Sequence, residues 1–451
     1  MISIASKLNS DYDQLLKTVQ DGKSAKEQMG ILNTQMLAKK FTLKDKPFPT
    51  FLKPFFVDKE MQKQFQTVTN LVMSSIEKVA DFFYKNAEYA HLLELAPLEY
   101  ELAKIDPHYP RRQIVARLDA FLMKDGTLQF LEFNCDSPSG MGWHDQLVKL
   151  FSALPIIKTI ESKYKITKET FLDGLCDLFV KKYRQMGGTK EKPNLVIVCK
   201  RDSTILNDVE LIIDHCSRVR GHKTSYADPR DFEYNGKTVL LKGEPVDVIY
   251  RDAIQDFTEH WDEVKPVIQA YRDGKVCLIN PFSSRVGGLK SVLSIMTDEK
   301  TEKLFTPEEQ KMIRTHIPWT RLVKDDKTKF QNKEIDLIPY ITKNKDVFVL
   351  KPNSGYGGFG VAIGREVKQT EWDDVIAKTK TSNWVVQEYL NIPKESFPDF
   401  TPELTFSDKN CNINFFAFDG EYAGGFVRVS KSSIINIHQG GGLVLLFYAA
   451  K

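Results

Sequence analysis

The sequence predicts a mixed α/β (α+β) fold, and three observations along the chain indicate it. Apolar residues at helical spacing fill the first hundred or so residues. Short apolar strands alternate with helical stretches from about residue 190 to 281, and the chain is rich in strand patterns from there to its end. Its 451 residues suffice for two or three domains with sizeable cores. We therefore expect several packed units.

The composition indicates an ordinary globular protein and excludes several other classes. Hydrophobic residues make up 42% and charged residues 27% of the chain, and the net charge of +3 gives no sign of a nucleic-acid-binding surface. The six cysteines form no CxxC pair and no zinc spacing. No apolar run approaches a membrane span, and the first residues lack a signal-peptide core. We expect a soluble, cytoplasmic protein with neither nucleic-acid nor membrane partners.

The first part of the chain is predicted to form a helical N-terminal region over residues 1–110. Its clearest helix-period stretch is "MQKQFQTVTNLVMSSIEKVADFFYKNAEYAHLLEL", residues 61–95. The Pro-rich segment "KPFPTFLKPFF", residues 46–56, interrupts the pattern before it. This region reads as a helical cap on the rest of the molecule.

A hairpin is predicted over "RLDAFLMKDGTLQFLEFNCDSPSG", residues 117–140. Asp125-Gly126 suits the two central residues of a type I′ turn, so that facing residue numbers sum to 251. One face of the ribbon then carries the pairs Arg117–Asn134, Asp119–Glu132 and Phe121–Phe130, and the other face carries Leu118, Ala120, Leu122, Leu131 and Phe133.

The facing carboxylates of Asp119 and Glu132 are the informative part of this hairpin. Their Cβ atoms would lie ~5 Å apart, which is destabilising unless a cation lies between them. Mg²⁺ favours a few carboxylate and amide oxygens plus substrate phosphates, and Asn134 supplies the amide oxygen. The segment therefore predicts a magnesium site. The alternative is an ordinary half-exposed hairpin in which Arg117 neutralises Asp119.

Two helices and then an α/β unit are predicted to follow. The helices are "GMGWHDQLVKLFSALPIIKTI" and "ETFLDGLCDLFVKKYRQM", the second ending at Gly187-Gly188. The strands "NLVIVCK", "HKTSYAD", "TVLL", "VDVIYRD" and "VCLINP" alternate with helical stretches, as in a parallel sheet. We place this unit at residues 190–285.

A glycine-rich loop after a strand is the second candidate functional segment. In "VFVLKPNSGYGGFGVAI", residues 347–363, a strand ends at Lys351, and Gly355, Gly357, Gly358 and Gly360 follow. Closely spaced glycines let backbone N–H groups approach an anion, and the preceding lysine adds charge, so the loop suits phosphate. The lysine precedes the glycines, unlike a Walker A loop. A plain Gly-rich hairpin is the alternative.

Two further strand ends carry candidate binding residues. "NWVVQEYL", residues 383–390, ends a strand in a stretch that could present backbone groups to adenine, with Glu388 reaching a ribose. An ordinary edge-strand terminus is the alternative. Near the C-terminus, Asp419-Gly420 predicts another hairpin turn, and Asn436 and His438 precede Gly440 to Gly442. His438 suits a phosphoryl acceptor or a ligand, but a lone histidine is more often simply hydrogen-bonded.

Together these segments resemble the ATP-grasp enzymes. Arg-x-Asp, then Glu-x-Asn thirteen residues beyond the Asp, then Pro-Ser-Gly resembles their metal-binding segment, and the Lys strand and "QEYL" resemble their phosphate loop and adenine hinge. The metal segment comes first here, which resembles the circularly permuted ATP-grasp families that include glutathionylspermidine synthetase. "LINPFSSRVGGLKSVLSIM" and "GFVRVSKSSIINIHQGGG" extend the likeness, which covers residues 115–445 in patches.

The resemblance implies a permuted ATP-grasp fold with a pre-ATP-grasp-like α/β domain. Its implied divisions are residues 111–189 for the metal-binding half, 190–285 for the α/β domain and 286–451 for the ATP-binding half. It implies two Mg²⁺ ions held by Asp119, Glu132 and Asn134, with Arg117 stabilising the transferred phosphoryl group. The implied ATP-binding residues are Lys290, Lys351, Ser354, Gly355, Tyr356, Gly357, Gly358, Gln387, Glu388, Tyr389, Leu390, Arg428 and Asn436.

The implied activity is that of an ADP-forming carboxylate–amine ligase. A carboxylate attacks ATP to give an acyl phosphate, which an amine converts to an amide, and positioning plus charge neutralisation suffice for such chemistry. The substrates would be small molecules or peptides. Two alternatives stay open: an ATP-dependent phosphotransferase using His144 or His438, and a nucleotide-binding protein that does not catalyse.

Overall fold

The computed structural model describes residues 3–86, 93, 95–252, 257, 260–355, 357–400, 403–437 and 440–450. Its α-helices span Ile4–Leu16, Ala25–Ala38, Lys59–Lys85, Pro97–Ala103, Met141–Ser152, Pro155–Glu161, Leu172–Gln185, Leu206–Asp214, Lys265–Arg272, Ser291–Thr297, Pro307–His316, Leu337–Lys343 and Gln369–Lys378. A π-helical turn spans His215–Val219, and 3₁₀ turns span Phe282–Gly288, Glu299–Leu304 and Lys345–Val347. Among the described helices, none has the length and apolar character of a membrane span.

The strands are numbered here in chain order. They are β1 Thr42–Leu43, β2 Lys46–Pro47, β3 Phe55–Asp58, β4 Val115–Leu122, β5 Leu128–Asn134, β6 Lys165–Lys168, β7 Leu195–Val198, β8 Thr224–Ala227, β9 Phe232–Tyr234, β10 Val239–Leu241, β11 Glu244–Val246, β12 Val248–Arg251, β13 Cys277–Ile279, β14 Thr320–Leu322, β15 Lys327–Phe330, β16 Lys333–Asp336, β17 Phe348–Pro352, β18 Ala362–Ile363, β19 Trp384–Glu388, β20 Lys394–Asp399, β21 Thr405–Phe418, β22 Glu421–Ser430 and β23 Gly442–Ala450.

The largest sheet joins the middle of the chain to its end. Its strand order is β3-β23-β22-β21-β4-β5, with β20 added beside β21 and β6 beside β23. The β21–β22 turn has positive φ at both Asp419 (53°) and Gly420 (87°), which is the predicted type I′ turn. Because β21 pairs with β4 as well as β22, the hairpin of residues 117–134 lies beside the C-terminal strands.

Both faces of this sheet are covered, which explains its strongly apolar strands. Phe65 and Val72 of the helix Lys59–Lys85 pack with Leu118 on one face. Leu147 of the helix Met141–Ser152 packs with Phe426 on the other face. Each face therefore has its own hydrophobic core, and the strands between them are buried.

The N-terminal region is less purely helical than predicted. The helix Lys59–Lys85 agrees with the helix-period stretch, whose residues 87–92 and 94 lie outside the described residues. The Pro-rich segment before it does more than interrupt: it leads into β3, which pairs in parallel with β23 of the largest sheet. The first hundred residues thus contribute a strand to the main sheet.

The α/β unit contains the predicted parallel sheet, with one strand assigned wrongly. The sheet order is β13-β12-β7-β8, all parallel, and these are four of the five predicted strands. The fifth, "TVLL", was expected in the same layer. It forms β10 in a separate antiparallel sheet, β11-β10-β9, because Lys242 and Gly243 turn the chain back on itself at positive φ.

The predicted hairpin has the expected pairs at its open end and different pairs at its turn. Met123 N–H donates to Thr127 O and Gly126 alone takes positive φ, so the turn is a three-residue loop with a glycine bulge, not a type I′ turn. Near the turn, Phe121 therefore faces Gln129 and not Phe130. A bulge at Leu131 restores the register, so that Asp119 faces Glu132 and Arg117 faces Asn134 as predicted.

Candidate active site

A cleft of about 1010 Å³ lies where three sheets meet. The largest sheet supplies one wall through β4, β5 and β22, and the antiparallel sheet β14-β19-β17-β18 supplies a second wall. Residues after the parallel strands β7 and β12 supply the third. The predicted residues that line the cleft are Arg117, Asp119, Glu132, Asn134, Lys351, Ser354, Gly355, Gly357, Gly358, Gln387, Glu388, Tyr389, Leu390, Arg428 and Asn436.

Two predicted residues, Lys290 and Tyr356, are not among these lining residues. Lys290 is not part of the lining, but its Nζ reaches the same site: it donates to Gly355 O at 3.0 Å and lies 3.7 Å from Glu132 Oε2. Tyr356 lies outside the described residues. The structure thus brings the described candidates from four distant parts of the sequence to one cleft.

Asp119 lies between two arginines. Arg117 Nε donates to its Oδ1 at 3.1 Å, and Arg428 Nη2 donates to its Oδ2. Asn412 Oδ1 accepts from the same Arg428 nitrogen at 3.0 Å, which fixes the guanidinium. Asp119 is only 1% exposed, so both ion pairs are shielded from water. Both carboxylate oxygens therefore accept hydrogen bonds from protein donors.

Glu132, which faces Asp119, has a different set of cations. Burial alone would raise its pKa, but Lys290, Lys351 and the two arginines together hold the pKa of Glu132 well below its usual value. The sequence alone predicts a metal ion at this carboxylate pair unless Arg117 neutralises Asp119. Protein cations neutralise both carboxylates here, so the facing acids by themselves do not demand a metal.

Asn134 retains an unused polar group at this site. Its Nδ2 atom is buried and has no hydrogen-bond partner among the described residues. Buried amides are normally satisfied, so an unpaired one at a cleft wall indicates a ligand that completes it. In the described part of the chain, no three His, Cys, Asp or Glu side chains cluster as a metal site. Two carboxylates and an amide still fit Mg²⁺, which takes its remaining ligands from phosphates and water.

Lys351, predicted to bind phosphate, and Gln387, predicted to lie at the adenine hinge, are hydrogen-bonded to each other. Lys351 Nζ donates to Gln387 Oε1 at 2.6 Å and to Leu131 O at 3.2 Å. Gln387 Nε2 donates to Thr320 Oγ1 at 3.0 Å. Burial, partly offset by Glu132, lowers the pKa of Lys351 to about 8. The Gln387 side chain is therefore bonded within the protein, whereas the adenine contact predicted for this strand end concerns its backbone groups.

The glycine-rich loop has the backbone that its sequence requires. Gly357, Gly358 and Gly360 have φ of 71°, 75° and 76°, which side chains rarely adopt. A Cβ on Gly358 would lie 2.4 Å from Ile434 Cγ2. Asn436 Nδ2 donates to Gly357 O at 2.9 Å, so the predicted Asn436 lies against this loop. The neighbouring Phe359 is 70% exposed at the cleft.

Some residues of the site had not been identified from the sequence. Arg285 Nη2 donates to Ser354 Oγ at 2.6 Å, and Asn353 Oδ1 accepts from the Ser291 N–H at 2.8 Å, tying the loop to the segment of Lys290. Asn412 lines the cleft from β21, and Asp252 lines it after β12. Asn353 could have been identified because it directly follows the Lys-Pro of β17. The other three residues come from chain segments far apart in sequence, so only the fold brings them to the site.

Of the two histidines considered for phosphotransfer, only His144 is among the described residues. His144 is 1% exposed, its Nδ1 lies 3.1 Å from Asp145 Oδ1, and its ring packs on Phe171. It belongs to the core behind β22 and does not line the cleft. His438 lies outside the described residues.

Comparison with known proteins gives distant relatives. No family model matches the chain. An uncharacterized protein of Mycobacterium tuberculosis (strain H37Rv) is 22% identical over 430 residues, which covers 88% of this chain and 73% of the relative. An uncharacterized protein of Mycobacterium leprae (strain TN) is 21% identical over the same length, covering 88% of this chain and 72% of the relative.

Solved structures show where the fold belongs. A glutathione synthetase like-effector (GSS30) from Globodera pallida superimposes with a TM-score of 0.62 at 13% identity, covering 99% of this chain and 100% of the effector. A putative gamma-glutamylcysteine synthetase from Methylobacillus flagellatus KT gives a TM-score of 0.43 at 12% identity, covering 84% of this chain and 88% of that one. The chain adopts the α+β fold of ATP-grasp synthetases, as the resemblance in sequence implied.

Proposed function

We propose that this chain is an ATP- and Mg²⁺-dependent carboxylate–amine ligase of the circularly permuted ATP-grasp kind. It would form an amide through an acyl phosphate, releasing ADP and phosphate. One observation carries the proposal: the carboxylates of Asp119 and Glu132 share a cleft with Lys290, Lys351 and the glycine-rich loop. Acids and cations in that arrangement suit a metal-bound triphosphate better than either a neutral ligand or a bare anion.

Asp119, Glu132 and Asn134 are the residues that would hold Mg²⁺. When bound, the metal neutralises phosphate charge and polarises the transferred phosphoryl group. Two arginines and two lysines surround these two acids, so the positive charges exceed the negative ones by about two. Triphosphate oxygens would attract the same cations, so binding of the nucleotide exchanges carboxylate partners for phosphate partners. The surplus positive charge would thus attract the triphosphate.

The chain's own residues would act mainly by positioning charge. Lys290 and Lys351 would lie against the phosphates, and Arg117 would stabilise the phosphoryl group in transfer. A substrate carboxylate oxygen attacks the γ-phosphorus while the bond to ADP breaks. The amine nitrogen then attacks the acyl carbon, phosphate leaves with the C–O electron pair, and the nitrogen loses its extra proton. No nucleophilic side chain is required.

The same proposal assigns a role to each part of the chain. Residues 111–189 would carry the metal ligands, residues 286–451 would bind ATP, and residues 190–285 would form the pre-ATP-grasp-like domain behind an N-terminal region of residues 1–110. The name of the structural neighbour, a glutathione synthetase like-effector, is in line with amide-bond chemistry on this fold. Buried His144 offers no accessible acceptor for the phosphotransferase alternative.

Hydroxylamine trapping tests the proposal directly. Purified protein is incubated with MgATP, hydroxylamine and single carboxylic acids, namely the proteinogenic amino acids and γ-glutamyl dipeptides, and ADP and hydroxamate are quantified. We expect one class of carboxylate to yield both products in equal amounts. Absence of hydroxamate with every acid, or ATP-dependent phosphorylation of an alcohol or histidine, would refute the ligase.

A further inference from the structure

The parallel sheet opens toward the cleft at the point where its strand order reverses. From β7 the chain first adds β8 on one side, and then returns to add β12 and β13 on the other side. In open parallel sheets, ligands bind at the carboxyl ends of the strands that flank such a reversal. Here those strands are β7 and β12, and the residues after them, Lys200 and Asp252, both line the cleft.

Asp252 is held in place by neighbouring backbone and by a hydroxyl group. Its N–H donates to Val198 O at 2.7 Å, which fixes the residue at the end of β12 beside β7. Its side chain is only partly exposed, and burial together with Asp208 raises the pKa of Asp252 well above its usual value, opposed by a hydrogen bond with Ser137. Ser137 lies on the loop that follows the hairpin of residues 117–134. Asp252 therefore lies next to the part of the cleft that this hairpin lines.

A second acidic oxygen near Asp252 has no partner. Asp136 Oδ1 accepts from Arg251 and from Ser284 Oγ, but Asp136 Oδ2 is buried without a hydrogen-bond partner among the described residues. Asp136 is 3% exposed and lines the same cleft. Both oxygens of nearby Asp208 are occupied by the N–H groups of Gly140 and Trp143. This wall therefore presents acceptors that a positively charged donor would complete.

We propose that Asp252 binds the amine substrate as its ammonium ion, with Ser137 and Asp136 beside it, and accepts the proton that makes the nitrogen nucleophilic. This inference rests on the proposed ligase function and assigns a substrate class, a primary alkylamine, to a wall of the cleft that the metal and nucleotide residues do not use.

The proton transfer balances with the ligase chemistry. The ammonium group gives one proton to the Asp252 carboxylate, and the free nitrogen pair attacks the acyl carbon. The C–O bond to phosphate breaks, and the second excess proton of the new amide nitrogen passes to the departing phosphate. Asp252 returns its proton to water when the product leaves.

Two kinds of nucleophile separate the amine step from acyl phosphate formation. Hydroxylamine is uncharged at neutral pH and needs no base, whereas ammonium chloride, ethylamine and putrescine enter as cations and glycine enters as a zwitterion with an ammonium group. With MgATP and the carboxylate found by trapping, we expect Asp252→Asn to raise the KM for the active amine at least tenfold while hydroxamate formation stays within twofold of wild type. Asp202→Asn, which removes an exposed acid from the same cleft, serves as the matched control.

Each outcome decides between the two proposals. If wild type forms no hydroxamate, the ligase proposal fails and this inference with it. If wild type forms hydroxamate but couples none of the four amines, or if Asp252→Asn leaves amine kinetics unchanged, the assignment of Asp252 is wrong while the ligase stands. Should Asp252→Asn not fold, Ser137→Ala must raise the amine KM without changing hydroxamate formation, and an unchanged KM refutes the assignment.

Discussion

Lys351 Nζ lies 2.6 Å from Gln387 Oε1, so the lysine near the end of β17 is hydrogen-bonded to the end of the neighbouring strand β19. Burial lowers the pKa of this lysine to about 8, and only its protonated form attracts phosphate. We therefore predict that affinity for MgATP falls roughly tenfold between pH 7 and pH 9. Titration calorimetry across this range measures it.

Lys351→Arg is the control, because a guanidinium stays charged throughout this range. Its affinity should be nearly constant with pH, and an equally steep decline would assign the effect to another group. The same pKa shift has a consequence for stability. Because the unfolded chain binds the proton more tightly between pH 8 and 10.5, this lysine makes the free energy of unfolding rise with pH in that window.

Substitutions of Asp119 and Glu132 should both impair activity but should differ in their effect on the free energy of unfolding. Glu132→Gln should lower ADP formation by roughly a hundredfold, since charge at the phosphoryl group is lost. Asp119→Asn should do the same and also lower the free energy of unfolding by roughly 3 kcal/mol, because it leaves two arginines without their buried partner. ADP release and urea unfolding measure the two effects. Full turnover by both variants would remove the metal assignment.

The larger stability loss belongs to Asp119 because of exposure. Its side chain is 2% exposed, whereas that of Glu132 is 28% exposed and its nearest lysine is 3.7 Å away. Water therefore screens the Glu132 pair more strongly. Equal destabilisation by Asp119→Asn and Glu132→Gln would contradict this account of the site.

The hairpin shows how sequence reasoning reached the correct facing pairs through an incorrect turn. Alternation and an Asp-Gly pair indicated the ribbon, but the three-residue loop shifts the register by one and the bulge at Leu131 shifts it back. Bulges depend on packing against other strands, here β21, which no local pattern encodes. The Asp119–Glu132 prediction is confirmed, and the Phe121–Phe130 pair is wrong.

The glycine-rich loop should be protected by nucleotide. Phe359 is 70% exposed within it and is a site for chymotrypsin, whereas Trp261, 41% exposed, lies far from it in sequence. We expect MgATP to slow cleavage after Phe359 at least fivefold and to leave cleavage after Trp261 unchanged, because phosphates order the loop. Mass spectrometry of timed digests locates both cuts. Equal rates with and without MgATP would exclude a loop that closes on nucleotide.

Gly358→Ala should weaken nucleotide binding more than its backbone strain alone explains. A Cβ there clashes with Ile434 at 2.4 Å in addition to the cost of positive φ, so the loop must move. Gly236→Ala is the matched control, with φ of 82° and nothing within 4 Å. Gly236→Ala should lose about 1 kcal/mol of stability, and Gly358→Ala should lose at least as much because of its clash. Only Gly358→Ala should raise the KM for ATP, and a normal KM would show that the loop does not touch nucleotide.

Many hydrogen bonds between residues of the site could not be predicted from the order of segments along the chain. The sequence indicated Arg428 as a member of the site, but its bond to Asp119 depends on β21 lying between β4 and β22. Likewise, Asn280 lies in the motif "LINPFSSRVGGLKSVLSIM", but the sequence did not indicate a role for it. Motifs indicate which residues belong together, whereas partners across sheets depend on strand order and register.

Asn280 gives the last prediction, because it joins two sheets. Its side chain accepts from Val115 N at 2.8 Å and donates to Val115 O at 2.8 Å and to Asp136 O at 2.9 Å, all fully buried. Asn280→Ala leaves these backbone groups unpaired and should lower the free energy of unfolding by roughly 3 kcal/mol. Urea denaturation measures it.

Asn344→Ala is the comparison, since this partly exposed asparagine makes a single local bond to Tyr340 O and should cost less than about 1 kcal/mol. A similar loss in both variants would mean that water replaces the Asn280 bonds, and that Asp136 is not fixed through this residue. With the predicted difference, the Asn280 amide contributes to holding the sheet that carries Asp252 against the hairpin that carries Asp119.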